Sequence, residues 1–465
     1  MALALAACSS SGNEGDDASG APGAEQPAAD DSADAELQGA RDLFAAPPET
    51  PDEVEPNAPA DEAADRIVAG INGGALDPSA VDDLTASGDP RHAWLISDLL
   101  RFFGGSDADR LVESFETLTA RSIADDPVLQ ASPWQSVTNH LIAWDTPAYA
   151  GYRDDKGGIF TQLEPDWSPF FDDAGATIDW RHLSWGGVLI DDRPLGDPDG
   201  CPGGCIPALD DPETTDAAAG GWYPDDRTVF GIVVNEEALA IPLNVAEIHE
   251  MFNLTLGGER LAIPYCTLCG SAQAFFTERP ADALVMRTSG LLSRSNKVMF
   301  DLVTNSVFDT FTGEAVSGPL LDEGVVLDET TVVRSTWSEW KREHPDTAII
   351  AQDGGIGRSY VLDPLGGRDD DGPIFPIGDV DDRLDVQEFV VGVISADGTP
   401  LAFPSEEASA AFNAGDPVEL GGVELRESGD GLIAVDSASG QQIAAHEAFW
   451  FAWSQFHPDT LLWER

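Results

Sequence analysis

The chain has 465 residues, with 84 acidic against 24 basic side chains and a formal net charge of -60 at pH 7. That length leaves room for two or three domains and a sizeable core. So strong a negative field repels DNA, RNA and anionic headgroups, which removes nucleic acid as a partner, and it suits a salty medium where counter-ions screen the repulsion. The acidity is read as a mark of habitat; its sharper alternative is a surface for multivalent cations.

Taken in chain order, residues 1–8 end in Leu5-Ala6-Ala7-Cys8, which resembles the lipobox of bacterial lipoproteins. There, small residues precede a cysteine that is lipidated and becomes the mature N-terminus. The basic and apolar parts of a full signal are missing, so the stretch reads as a truncated one. The expectation is a protein at the cell surface or facing the periplasm, held to the bacterial membrane by a lipid on Cys8. No stretch of the sequence is apolar for long enough to span a bilayer.

Residues 9–60 are Ala, Pro, Gly, Ser, Asp and Glu with almost no large apolar side chains, the composition of a disordered acidic linker. Residues 61–150 predict a helical domain. Ala63, Ile67 and Ile71 fall at helical spacing, later stretches are amphipathic at a period near 3.6, and Gly73-Gly74, Asp89-Pro90 and Gly104-Gly105 break them. Such a bundle suits packing or the docking of an envelope protein. Residues 151–228 read as an irregular lead-in holding Cys201-Pro-Gly-Gly-Cys205, for which a local disulfide is the simplest account outside the cytosol. Asp197 and Asp199 alongside are too sparse for a calcium loop.

Beyond this point β-prone runs alternate with Gly, Asp and Pro turns, giving a first β-rich repeat over 229–350 and a second, shorter one over 351–465. The repeat is written in the residues. Trp337-x-x-Trp340-x-x-x-His344-Pro345-Asp346-Thr347 recurs as Trp450-x-x-Trp453-x-x-x-His457-Pro458-Asp459-Thr460. Leu239 to Pro242 and then Leu256-Gly257-Gly258 recur as Leu401 to Pro404 and then Leu420-Gly421-Gly422. Tryptophans three apart share a helix face, so each pair reads as a core anchor; Thr336 and Glu339 predict a capping box, and Pro345 ends the helix. The expected fold class is α+β: a β-rich domain with an internal duplication, preceded by a small helical domain and a disordered N-terminal tether.

The copies differ where chemistry is expected. Only the first carries His249-Glu250-x-x-Asn253 and Tyr265-Cys266-Thr267-Leu268-Cys269-Gly270. Cys-x-x-Cys-Gly after a strand is a tight knuckle that brings two sulfurs together. Gly270 supplies the left-handed position that lets backbone N–H groups point at them and stabilise thiolate. Three outcomes follow from that geometry: a reversible disulfide, a zinc or copper site completed by His249 and a fourth ligand, or a permanent staple. No His follows Cys269, which leaves covalent haem attachment unsupported.

Residues 229–346 resemble the DUF3179 family of bacterial and archaeal proteins of unknown function. The matching segments are His249 to Asn253, Tyr265 to Ala272, Ser289 to Leu292, Asp301-x-x-Thr304-x-Ser306, Thr312 to Ala315 and Trp337-x-x-Trp340. Weaker similarity reaches back through Trp185-Gly186-Gly187 and Ile206 to Asp210, and forward to the C-terminus. Some members are described as selenoproteins, and such chemistry at the knuckle would favour redox over a staple. Thr267, Leu254 and Phe308 stand where the family tends to have Pro, Asp and Trp. Leu254 removes a possible carboxylate ligand and leaves Glu250 and Asp301 as alternatives. The leading reading is a thiol redox or metal centre with Cys266 as the more exposed sulfur, Cys269 its partner, His249 as base or ligand, and Glu250 orienting it. The rival is a non-enzymatic binding or structural module in which both cysteine pairs are disulfides.

Overall fold

The structure, a computed structural model, describes residues 58–465 apart from 198–200, 202, 281–282, 368–371 and 379. Cys8 and the acidic linker up to residue 57 lie outside the described residues. Among those described, no helix is long and apolar enough to cross a membrane. The chain divides into two compact units, residues 1–159 and 160–465.

The first unit is helical: Ala58–Asn72, Pro78–Ala86, Ala93–Leu100, Ser106–Thr119, Pro133–Ala143, and the start of Tyr152–Leu163. Local chemistry sets the ends. Asp77 caps Pro78–Ala86 by accepting from the Ser79 and Ala80 amides, Ser132 caps Pro133–Ala143 through the Gln135 amide, and each helix opens on its proline. Ala63, Ile67, Leu84, Leu95, Leu111, Phe115 and Leu141 fill the interior. Lys156 is buried with them and donates to Asp98 Oδ1 at 2.7 Å.

The second unit holds five small sheets in a propeller-like ring. Its two repeats share one plan. In the first, strands run in the order Val333–Thr336, Thr228–Val234, Glu237–Pro242, Ala348–Ile350; in the second, Ala445–Phe449, Phe389–Ile394, Pro400–Pro404, Leu461–Leu462. The pairings are antiparallel, antiparallel and parallel in both. Gly257-Gly258 and Gly421-Gly422 close equivalent hairpins, all four residues at positive φ, as a two-residue primed turn requires.

The tryptophans explain why the motif repeats. Trp337, Trp340, Trp450 and Trp453 are fully buried. The Trp340 ring lies over Gly231 and the Trp453 ring over Gly392; a Cβ on either glycine would come within 2.3 Å and 2.0 Å of the respective ring. Each inner indole donates to the threonine seven residues on, Trp340 to Thr347 at 3.0 Å and Trp453 to Thr460 at 2.9 Å. His344 and His457 end the two helices with their rings against the same indoles, at 4.2 and 4.3 Å between centroids. The expected capping box does not form. Thr336 gives its amide and hydroxyl to Asp430 of the second repeat, and Glu339 pairs with Arg342.

The first repeat carries an insertion, residues 277–332, which builds an extra sheet from Met286–Ser293, Asn296–Asp301, Val307–Asp309 and Ala315–Ser317. The lead-in is less irregular than its composition suggests. It opens with helix Tyr152–Leu163 and supplies edge strands to three sheets, Leu183–Trp185, Leu209–Asp210 and Thr214–Asp216. Those short strands cover edges that would otherwise present unpaired backbone.

Candidate functional site

Strand Glu259–Cys266 runs straight into a single turn of 3-10 helix, Thr267–Cys269, ended by Gly270 at φ 59°. The two thiols are unbridged and buried, Cys266 at 3% exposure and Cys269 at 0%. Both face the Ser295 carbonyl, with Sγ–O distances of 3.9 Å for Cys266 and 3.5 Å for Cys269. Ser295 belongs to the tight hairpin between Met286–Ser293 and Asn296–Asp301. Its two turn residues, Arg294 and Ser295, both sit at positive φ without being glycine. Such a backbone costs on the order of 1 kcal/mol per residue and persists where the surroundings demand it.

Lys297, two residues on, supplies the positive charge of the site. Its ammonium pairs with Glu250 Oε2 at 3.1 Å and donates to the Glu250 and Tyr265 carbonyls. Glu250 also accepts from the Thr267 hydroxyl at 3.2 Å, which ties the carboxylate to the knuckle. Burial by itself pushes both thiols up. At Cys266 it is outweighed by the hydrogen bond from Cys269, the Lys297 ammonium and the Lys297 amide, and the net shift is downward against Glu250's repulsion. At Cys269 burial is reinforced by the hydrogen bond to Cys266 and by negative charge on Cys266 and Glu250, so this thiol rises well above its ordinary value. One sulfur is thus prepared to lose its proton and the other to keep it. The stabilising amide comes from Lys297 on the neighbouring hairpin, not from the knuckle's own backbone as the sequence led one to expect.

The second repeat covers this site. A Cβ on Gly270 would meet the Phe389 ring at 2.8 Å and the Phe449 ring at 3.1 Å. Those rings pair across adjacent strands with centroids 4.5 Å apart, and the Arg334 guanidinium lies over Phe389 at 4.5 Å. Gly270 is therefore required twice, for its backbone conformation and for the absence of a side chain under two phenyl rings.

His249 is not brought to the sulfurs. Its ring is 1% exposed, with Nδ1 2.7 Å from the Pro207 carbonyl and Nε2 2.7 Å from the Tyr360 hydroxyl. Burial holds it down to about 4, helped by Arg358 and Arg193, and it stays neutral at physiological pH. Glu250 does not orient it, since the left-handed turn at Glu250 sends the carboxylate to Lys297. Asp301, the other acidic alternative, accepts from the Val285 and Thr304 amides and holds a turn. The zinc or copper set of Cys266, Cys269 and His249 is therefore not assembled. Among the described residues, the only three metal-capable side chains with ligand atoms within 4.8 Å of one another are Asp191, Cys201 and Cys205. Two of these are joined in the Cys201–Cys205 disulfide.

Around His249 lies a buried polar network that the sequence did not single out. Arg287, fully buried, holds both oxygens of Asp210 at 2.9 and 2.7 Å; Asn253 bridges Asp210 to the Met286 backbone; Arg193 clasps Asp191 and the Ala208 carbonyl. A cavity of about 450 Å3 opens beside it, bordered by Arg193, Pro207, Asp210, His249 and Arg358. A larger concavity of about 690 Å3, rimmed by Glu236, Glu237, Glu343 and Asp346, touches neither the thiols nor His249.

No curated protein and no solved structure matches the chain. Residues 203–425, a span that includes the knuckle, the Lys297 hairpin, His249 with Arg358, and the start of the second repeat, match the model described as protein of unknown function (DUF3179), and this region of the chain belongs to that family.

Proposed function

We propose that this protein is an extracytoplasmic lipoprotein, anchored through Cys8, whose β-rich unit carries a buried dithiol redox centre at Cys266 and Cys269. The observation that supports the redox reading is the division of labour between two unbridged sulfurs 3.5 and 3.9 Å from one carbonyl, with Cys266 lowered and Cys269 raised. Their burial favours a small partner over a protein one, because a mixed disulfide needs in-line access to the attacking sulfur. The Cys266 thiolate attacks one sulfur of a small disulfide and expels a thiolate, forming a mixed disulfide. Cys269 gives up its proton, attacks Cys266 Sγ and expels the second thiolate. Two electrons pass to the small disulfide, and the two protons lost by the cysteines are taken up by the departing thiols.

The test equilibrates purified protein with oxidised and reduced glutathione mixtures, followed by alkylation and mass mapping. The expected result is one two-electron transition joining Cys266 to Cys269, at a potential above about -300 mV. A pair that never bridges, or one that resists reduction below that value, would sink the redox reading in favour of a structural module. The anchor is tested separately, by loss of lipid labelling in Cys8→Ala.

A further inference from the structure

We propose that the cavity beside His249 is a binding site for a small organic carboxylate, held by the Arg358 guanidinium. The inference is independent of the dithiol. A volume of about 450 Å3 falls within the range of small-molecule sites, and Pro207, Ala208, Leu209 and Ile356 give it an apolar wall beside its charged one.

Charge accounting singles out Arg358. In a chain with 84 carboxylates and 24 basic groups, an arginine at a cavity wall ordinarily finds an acidic neighbour. The other arginines here have done so: Arg287 is committed to Asp210, and Arg193 to Asp191. Asp197 lies on the Arg193 side, where its backbone carbonyl takes Arg193 Nη1 at 2.8 Å and its charge adds to that guanidinium's field. Arg358 makes no ion pair among the described residues; its guanidinium stands 5.9 Å from the Tyr360 ring centroid. A planar fork of this kind matches a carboxylate in two parallel hydrogen bonds. A phosphate dianion would call for a second uncommitted cation, and among the described residues lining the site Arg193, its other cation, is already held by Asp191.

The rest of the wall is built to stay fixed. The Pro207 carbonyl can only accept, so His249 Nδ1 carries the proton; the neutral ring then accepts at Nε2, and the Tyr360 hydroxyl must donate. His249 is thereby a positioning residue that fastens the Pro207 segment to the loop bearing Arg358. Glycines make that loop possible: a Cβ on Gly354 would lie 2.7 Å from the Tyr360 oxygen, while one on Gly357, at φ 72°, would meet nothing within 4 Å. The Cys201–Cys205 disulfide lies two residues before Pro207, which borders the cavity.

The experiment is calorimetric titration of the full chain with isobutyrate, run beside inorganic phosphate and isobutyramide. Isobutyrate is expected to bind saturably, and the two comparators are not. Arg358→Gln should weaken isobutyrate at least about tenfold, the loss of a charge-assisted pair, with Arg358→Lys falling between. Unchanged melting of both variants shows that the fold survives. Absence of saturable isobutyrate binding, equal binding of phosphate or the amide, or full affinity in Arg358→Gln would each overturn the proposal.

Discussion

Replacing His249 with glutamine should change how stability depends on pH more than it changes stability at any one pH. The imidazole titrates near 6.5 when free and at about 4 in the fold. Since its folded value lies below its unfolded one, the unfolded chain takes up the proton first as the pH falls. The stabilisation is complete above 6.5, declines from there, and is exhausted near 4. The interval is worth about 3 kcal/mol, from roughly 1.4 kcal/mol per pH unit. At pH 7.5 the variant loses the bonds to Pro207 and Tyr360, a cost of about 1–3 kcal/mol. Urea unfolding of both proteins between pH 7.5 and 4 therefore yields a gap that narrows with acidification and closes or reverses near 4. His457, also held at about 4 by burial and by His446, titrates in both proteins and cancels from the difference. A gap that stays constant, or widens, would refute the assignment of His249 as a buried neutral ring.

The remaining predictions concern the sheets and the thiols. Gly231→Ala and Gly392→Ala each drive a methyl into an indole and should lower stability by about 1–3 kcal/mol, read as a fall in urea midpoint at unchanged slope. Phe449→Leu thins the cover over Gly270, and the rate of Cys266 alkylation by iodoacetamide should rise at least about tenfold if opening limits it. Lys297→Met removes the ammonium that favours the Cys266 thiolate, so the midpoint of the alkylation pH profile should move up, while an unmoved midpoint would remove Lys297 from the account.

Much of the second unit was legible in the residues because its constraints are local. Matching Trp-x-x-Trp helices, Leu-Gly-Gly turns and Leu-x-x-Pro strand ends each specify an element, and their order in two places specifies two copies; the strand order that the copies share comes from the fold. The knuckle was legible for the same reason: cysteine spacing and Gly270 define a turn by themselves. His249 was misplaced because proximity along the chain says little about which side of a strand pair a side chain occupies. One left-handed residue, Glu250, separates the two environments. Lys297 and Ser295 were missed because only the hairpin of an inserted sheet carries them to the sulfurs. A clue did exist, since the chain has three lysines, and one of them stands at the start of an apolar strand. Two of the three prove to be buried and paired with a carboxylate, Lys156 and Lys297. The Arg287–Asp210 contact joins residues 77 positions apart and leaves no local pattern to find.

The cover formed by Phe389 and Phe449 has a consequence for biogenesis. A chain emerging from its N-terminus delivers Cys266 and Cys269 well before either phenylalanine exists, so the thiols pass through an interval in which oxidants in the surrounding medium can reach them. Once the last strands dock, exchange at the sulfurs proceeds only as fast as this cover opens. The two sulfurs are thus easiest to reach before the chain is complete.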